Sequence, residues 1–598
     1  MFIRQTNTRN KVSGEAYTTY RLVRTERVGG KVRQITLLNL GRNFAVASSD
    51  WPVLCQRIEE LIGGQKTMFS GSAPNNIEKL AQRYAAQLMA RTAVISEEET
   101  KHSAKPEAEY QEVDVASPEL LHPRSVGVEQ LGLYAMSQLG IIEKLKELKI
   151  SGKLRAAIIG NIIGRMAKPA SENATYRWLQ KESGLGELLD VDFEEMPLIR
   201  LYRSSDVLMR HREAIEKHVF ERVSELFGLG ETVTLYDLTN TYFEGEAKGN
   251  AKAKRGRSKE KRSDCPLITL GLVLDGSGFV RRSRTFEGNA NEGKTLENML
   301  AGLGASPGAM VIMDAGIATE QNIAWLVSNK YRYLVVSRKR SRQFDEGNLV
   351  NLENAAGESI RLQKEISKDG TEVLLHCHSP RREKKELAMF DLFCTRYEAG
   401  LKKISDNLQK PNGEKRVEIL LERIGRLKGR SRGISQHYHF ELKSDGKTAT
   451  ALTWEKQPVN ATMATHPGVY CLRSNEMTWT EEKLWRTYTT LTDLESVFRS
   501  LKSELGLRPV FHSKENRADG HLFITVLAYQ LVQFLRTKLK AAGINDSWAG
   551  LRETLTIQRR VTISYKQRDG RTLNVRKSTT PDPDLRAIYQ ALSPSLAD

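Results

Sequence analysis

The chain has 598 residues and a mass of 67.5 kDa, long enough to bury a sizeable core without disulfide or metal staples. Apolar residues make up 39% and charged residues 27%, a globular composition that excludes wholesale disorder, collagen and coiled-coil arrays. Lys and Arg total 91 against 73 for Asp and Glu, and a surplus of +18 points to a polyanionic partner, nucleic acid ahead of an anionic membrane.

Five cysteines (Cys55, Cys265, Cys377, Cys394, Cys471) are scattered, with no C-x-x-C spacing. That fits a reducing, cytoplasmic setting and argues against a disulfide framework or a Cys-rich zinc site. Met1 to Lys11 is polar and has no hydrophobic signal region. The longest apolar stretch, Leu522 to Leu535, is broken by Gln530 and Gln533, too short to span a bilayer, and reads as a buried helix.

In chain order, residues 1–95 read as a strand-plus-helix module. Tyr17 to Gly41 alternates around Gly29-Gly30 as a hairpin would, and Val53 to Ile62 and Ile77 to Met89 have helical spacing. Residues 96–117, poor in large apolar side chains, read as a linker. Residues 118–230 read as a helical domain. At Thr232 the rhythm changes. Thr232 to Asp237, Pro266 to Asp275 and Phe279 to Phe286 are strand-like, then helix (Thr295 to Leu303), strand (Ala309 to Asp314), helix (Glu320 to Asn329) and strand (Tyr333 to Ser337) follow. This predicts an α/β core over 231–337, a mixed sheet with helices on its faces. Residues 338–470 predict a β-rich inserted subdomain with one charged helix, Glu414 to Leu427. Helical spacing returns over 471–545 as the second part of the core, and 546–598 reads as a weakly patterned C-terminal tail.

Asp237 and Asp314 each close a hydrophobic strand segment, and ligand sites of open α/β sheets gather at strand carboxyl ends. Hard oxygen donors suit Mg²⁺ or Mn²⁺ over zinc. An Asp at a strand end often only caps the next turn, so neither residue decides the matter alone. The third element is a helical stripe, Leu484, Tyr488, Leu491, Glu495, Phe498 and Lys502, spaced by three and four. Glu495 falls within that apolar stripe, where a carboxylate is costly unless paired or metal-bound. The bland alternative is a Glu495–Arg499 surface pair.

These residues resemble the DDE transposases of bacterial insertion sequences, in the insertion sequence four superfamily. Asp237-Leu-Thr239 is similar to the family's first Asp block, and Asp314-Ala-Gly316-Ile followed by Glu320 to its second. Tyr488-x2-Leu491-x3-Glu495-x6-Lys502 is similar to its Tyr, Arg, Glu, Lys signature. Phe286-Glu-Gly-Asn289, Phe498-Arg-Ser-Leu-Lys502 and Leu507-Arg-Pro-Val-Phe-His512 support the match, which spans about Val126 to Leu539. The signature Arg is Leu491 here, so its DNA contact is missing or is supplied by Arg486 or Arg499.

The resemblance implies a ribonuclease H-like core interrupted by a β-strand insertion. It implies a catalytic triad of Asp237, Asp314 and Glu495 holding two Mg²⁺ ions (Mn²⁺ as substitute) roughly 3.5–4 Å apart, one activating the attacking water or 3′-hydroxyl and one stabilising the leaving oxygen. It also implies binding of terminal inverted repeats, with residues 1–95 as the expected end-binding module, phosphodiester hydrolysis and strand transfer into target DNA, by a homodimer on double-stranded DNA, in a bacterial cytoplasm at the nucleoid. Tyr488, Lys502 and Arg499 would lie at the DNA backbone. Two alternatives keep part of this: a nuclease that cuts without joining, and a catalytically inactive transposase-derived DNA-binding protein.

The run from Lys252 to Arg262 (Lys252, Lys254, Arg255, Arg257, Lys259, Lys261, Arg262, against Glu260) would loop out beside the acids and bind phosphate. Otherwise it is a solvated hairpin tip. Arg381 to Lys385 and Arg423 to Arg432 form further basic clusters. His376 and His378, and His437 and His439, share strand faces but lack the further ligand spacing of a zinc site. Trp454 reads as core ahead of a base-stacking residue.

Overall fold

A computed structural model of the chain describes residues 1–9, 16–28, 31–41, 44, 46–63, 74–92, 94–95, 110–229, 233–256, 262, 264–303, 305–337, 342–344, 347, 349–354 and 357–593. The N-terminal module is a three-stranded antiparallel sheet, β1 (Phe2–Arg9), β2 (Ala16–Val28) and β3 (Lys31–Gly41), backed by α1 (Trp51–Gly63) and α2 (Asn75–Thr92). Its helices stand where the spacing of three and four predicts them. Ile3, Leu22 and Leu38 of the sheet pack on Leu54, Ile58, Ile77 and Ala81 in a small core of their own.

Two short strands, β4 (Val94–Ile95) and β5 (Glu119–Ser125), lead into seven helices: α3 (Gly127–Gln138), α4 (Ile141–Glu147), α5 (Gly152–Ala167), α6 (Glu172–Lys181), α7 (Leu185–Leu188), α8 (Ile199–Arg210) and α9 (Arg212–Phe227). Then come β6 (Val233–Tyr242), β7 (Leu267–Asp275), β8 (Val280–Glu287), α10 (Leu296–Leu300), β9 (Met310–Met313), α11 (Glu320–Ser328) and β10 (Arg332–Val336). In space these strands run β8-β7-β6-β9-β10, with β6, β7 and β8 antiparallel and β9 and β10 parallel to β6. This is the mixed α/β, ribonuclease H-like sheet expected from the strand order. All nine residues of β7 are buried, as its nearly unbroken apolar run requires of a strand covered on both faces.

The insertion between Ser337 and Val469 departs from the expectation. Strands β11 (Val350–Glu353), β12 (Ser359–Ile366) and β13 (Val373–His378) do not form a separate unit. They extend the core sheet through β16 (Val469–Ser474), giving nine strands in the order β11-β12-β13-β16-β10-β9-β6-β7-β8. Between β13 and β16 stand two helices, α12 (Pro380–Leu408) and α13 (Val417–Arg430), and a hairpin, β14 (Tyr438–Asp445) with β15 (Thr448–Lys456). The insertion is therefore as much helix as strand. The 29-residue α12 starts at a Ser379 cap with Pro380 in its first turn, and buries Phe390, Cys394, Tyr397 and Leu401 against α13 and the hairpin.

The rest of the chain is α14 (Glu481–Arg499), a π turn at Ser500–Glu504, α15 (Glu515–Ala541), α16 (Trp548–Thr556), β17 (Arg559–Lys566), β18 (Thr572–Ser578) and α17 (Pro583–Leu592). The segment after 545 is folded. β17 and β18 join β4 and β5 in a four-stranded sheet of order β4-β18-β17-β5, and α17 buries Leu585, Ile588 and Tyr589 in the main core. Of the expected linker, residues 96–109 lie outside the described residues, while Asp114 donates its N–H to the Lys566 carbonyl at 2.8 Å.

The helices of 127–227 do not form a separate domain. They share one hydrophobic core with α14, α15 and one face of the nine-stranded sheet. α15 is the hub, buried almost continuously from Ala518 to Leu535. Its two glutamines hold the β7–β8 turn: Gln530 takes the Val280 N–H and donates to the Val280 carbonyl (3.1 and 2.7 Å), and Gln533 donates to the Ser277 carbonyl (2.8 Å). A smaller core covers the other face of the sheet under α10 and α11. No helix among the described residues is long and apolar enough to cross a membrane.

Candidate active site

Asp237 is the fifth residue of β6 and does not end it, because the strand continues to Tyr242 paired with β7. What ends there is the pairing with β9. The last pair in that parallel register is Tyr236 with Met313, so Asp237 and Asp314 are the next two residues, abreast on neighbouring strands. Neighbouring strands lie about 4.8 Å apart. Tyr236, Leu238 and Met313 belong to the core under α10 and α11. Leu235 and Ile312 belong to the opposite core, so strand alternation turns Asp237 toward the face covered by α14 and α15. Asp314 is exposed and Asp237 half-buried. Each accepts a local N–H at 2.7 Å, Asp237 Oδ1 from Leu238 and Asp314 Oδ1 from Ala315.

α14 packs across that face, against β6, β9 and β10. Burial, joined by the charge of the Asp314 carboxylate, pushes the hydroxyl of Tyr488 on α14 up to about 12. Glu495 stands seven residues further along the same helix, two turns or about 10 Å on, in the same angular position. The side chains of Leu491 and Glu495 lie outside the described residues. Lys502 is half-buried in the π turn that follows, and Arg499 is exposed at the end of α14.

Two neighbours of the site are not placed there by any motif of the sequence, although one of them, Arg382, belongs to the basic cluster Arg381 to Lys385. Glu292 is one: a Cβ on Gly316 would stand 2.8 Å from Glu292 Oε2, so the glycine of Asp314-Ala-Gly316 leaves room for a further carboxylate. Burial, together with Asp237 and Glu292, raises the Tyr236 hydroxyl, against a 2.6 Å hydrogen bond with Thr295 Oγ1. Arg382, at the start of α12, is the other. It lies 4.8 Å over the Tyr470 ring and donates to Glu386 Oε1 at 2.9 Å, and its charge reaches Tyr488. Only spatial proximity reveals either residue. Arg486 is instead paired with Glu482 at 2.8 Å along α14.

The basic loop between β6 and β7 leaves the sheet at the carboxyl end of β6, five residues or about 17 Å beyond Asp237. Lys254 and Arg255 are exposed. Arg262 grips Asp264 with two bonds (2.7 and 2.6 Å) and lies 4.5 Å over the Tyr242 ring. Lys252 is different: its ammonium bonds Asp519 (2.5 Å), Thr285 (3.1 Å) and Glu515 (3.3 Å), and holds the loop to α15. Arg257, Lys259 and Lys261 lie outside the described residues.

His376 and His378 do not converge on one point. The first faces Glu365 (3.3 Å) and the second Glu383 (3.0 Å). His437 is buried against Phe390, and Trp454 packs on the core of the insertion. Among the described residues one buried group has metal-like spacing, Glu172 with His512 and His521. Arg165 already fills it, 2.6 Å from His521 Nδ1 and 3.5 Å from Glu172 Oε1.

The model of the transposase DDE domain covers residues 228–531, just over half of the 598. It begins just before β6 and ends within α15, and so contains Asp237, Asp314 and Glu495. No curated protein matches the chain.

Proposed function

The chain belongs to the transposase DDE-domain family, and from that premise we propose that it binds the terminal inverted repeats of an insertion sequence, cleaves DNA there and joins the freed 3′ ends to target DNA. The observation that carries this reading is the register that sets Asp237 and Asp314 abreast under the helix bearing Glu495.

Asp237, Asp314 and Glu495 would hold divalent cations, as the family generally requires. The donor set fits Mg²⁺, or Mn²⁺ in its place, because two carboxylates stand side by side with oxygens open to solvent or half-buried. When bound, such ions supply charge neutralisation at the attacked phosphate and lower the pKa of the attacking water or 3′-hydroxyl.

The protein's own groups do the positioning. Tyr488, kept protonated by burial and by Asp314, offers a hydroxyl donor to a phosphate oxygen beside the acids. Lys502 and Arg499 continue from α14 along the path of the backbone, and Lys254 and Arg255 receive it at the end of β6, while Arg262 is held by Asp264. Lys252 has its charge met by Asp519 and Glu515, and serves to fix that loop. A homodimer holding two ends would place both 3′ ends near one target.

A strand-transfer assay tests this reading. With Mg²⁺, the protein should nick duplexes ending in the element's repeats and join pre-cleaved 3′ ends to a plasmid. Cleavage without joining would reduce the protein to a nuclease. Binding without cleavage would reduce it to an inactive derivative.

A further inference from the structure

The N-terminal sheet packs only one face on α1 and α2, although Val23 on the other face is also buried. Ile3, Leu22 and Leu38 turn toward α1 and α2. On the other face Arg4 stands directly opposite Arg21, and Thr6 opposite Thr19. β2 and β3 run on together past Phe2, the start of β1, as a two-stranded ribbon in which Thr25 faces Gln34 and Arg27 faces Val32. Arg4 Nη1 donates to Gln34 Oε1 at 2.8 Å, which puts Arg4, Arg21 and Gln34 on the same side. Alternation along β2 adds Thr25 and Arg27 to it. Arg4, Arg21, Arg27 and Gln34 are exposed, and Val32 is 61% exposed.

This surface is electrostatically incomplete by itself. Like charges directly opposite on a sheet repel, and the face carries no acid among the described residues. Glu26, the acid nearest in sequence, points to the other face and pairs with Arg24. An anionic partner relieves the Arg4–Arg21 repulsion. The shape selects among polyanions. A two-stranded ribbon is the width that the major groove of duplex DNA admits, about 12 Å, and five residues of ribbon reach about 17 Å, twice the groove's depth of about 8.5 Å. The side chains are those that read base edges: Arg for guanine, Gln for adenine, and an apolar Val for the thymine methyl.

We propose that this open face, with Arg4, Arg21, Arg27 and Gln34, lies in the major groove and reads the sequence of the element's ends. The proposal rests on the end-binding reading given above and assigns it a surface and a groove. Discrimination of ends is then separated in the chain from phosphodiester chemistry.

The test uses the full chain and fluorescence anisotropy with two probes, a duplex carrying the element's terminal sequence and a scrambled duplex of equal composition. Substituting Arg4→Gln, Arg21→Gln and Arg27→Gln together should lower the preference for the terminal duplex about tenfold or more. The pair Arg24→Gln and Arg33→Gln, on the opposite face of the ribbon, should keep it. Arg21→Lys alone retains the charge and loses the bidentate fork, so it should lose end preference while holding scrambled DNA as before. Methylation of guanine N7 in the terminal probe should block binding, and the minor-groove ligand distamycin should not. Full end preference in the triple variant, at unchanged melting temperature, would overturn the assignment, as would displacement by distamycin alone. If the unaltered protein did not distinguish the probes, the end-binding reading would fall with it.

Discussion

A close helix crossing in the main core gives a sharp test of how the helical region meets the nine-stranded sheet. Gly520 of α15 faces Ser205 of α8, and a Cβ built on Gly520 would lie 2.4 Å from Ser205 Cβ and 2.9 Å from Ser205 Cα. Carbon atoms pack at about 3.5–4.0 Å. Gly520→Ala therefore needs the two helices to part by roughly 1 Å or more, because the obstacles are fixed atoms close to the backbone of α8 and not the end of a flexible chain. Overpacking of this kind costs about 1–3 kcal/mol, and the upper end applies here. Against it stands a helix-propensity gain of about 1 kcal/mol for Gly to Ala. The net expectation is a loss of about 1–2 kcal/mol, read as a lower urea midpoint by circular dichroism and tryptophan emission. Trp548 is fully buried in the same core, with its indole donating to the Met166 carbonyl at 3.0 Å. Adding Ser205→Gly should recover part of the loss and give a favourable coupling between the two sites. A Gly520→Ala protein as stable as the parent, or more so, would refute the shared core.

Two further outcomes follow from buried charge. His521 is pushed down to about 4 by burial and then by the Arg165 charge, so the unfolded chain binds a proton between about pH 6.5 and 4 that the folded chain refuses. Its contribution is complete above pH 6.5 and is lost as pH falls toward 4, about 3 kcal/mol in all. Burial alone would raise Glu172, but His512, His521 and Arg165 outweigh it and hold it well below the usual carboxylate range, which adds loss in the same direction at lower pH. Glu129 and Glu216, both raised to about 7 by burial, act oppositely and lose their contribution as pH rises through 7. The difference between wild type and His521→Asn should therefore shrink from pH 7 to pH 4 in denaturant titrations, and a constant difference would contradict the assignment. In the basic loop, Lys252→Ala should lower stability by leaving Asp519 buried without its cation, and should leave the salt dependence of DNA binding unchanged. Lys254→Ala should do the reverse, with the slope of log K against log salt falling by about 1.

The catalytic sheet was legible in the sequence because its signals are local. β7 is an apolar run bounded by Pro266 and the Asp275 turn, and β9 is four apolar residues ending at Asp314. The pairing of the two acids was not legible. It depends on the β6–β9 register, which joins residues more than seventy positions apart in the chain. The folded segment after 545 was missed only in part for the same reason. β17 pairs with β18 across the Asp569-Gly570 turn, a local hairpin signal that the sequence does carry, but its other edge is closed by β5, some 440 residues earlier. α12 is a different failure. Phe390, Cys394, Tyr397 and Leu401 have helical spacing, but they follow a basic stretch that reads as surface until α13 and the β14–β15 hairpin are in place to cover one side. Glu292 and Arg382 reach the site from separate elements, and nothing in their sequence neighbourhoods points to Asp314 or Tyr488.

If Asp237, Asp314 and Glu495 act as one metal-dependent site, each is needed for the single-turnover rate of Mg²⁺-dependent cleavage of end DNA, measured for Asp237→Ala, Asp314→Ala and Glu495→Ala at a protein concentration that saturates end binding. All three variants should bind the ends like wild type and cleave slower by about a hundredfold or more, the scale seen when a group stabilising transition-state charge is removed. Near wild-type cleavage by any one of them would contradict a single shared site.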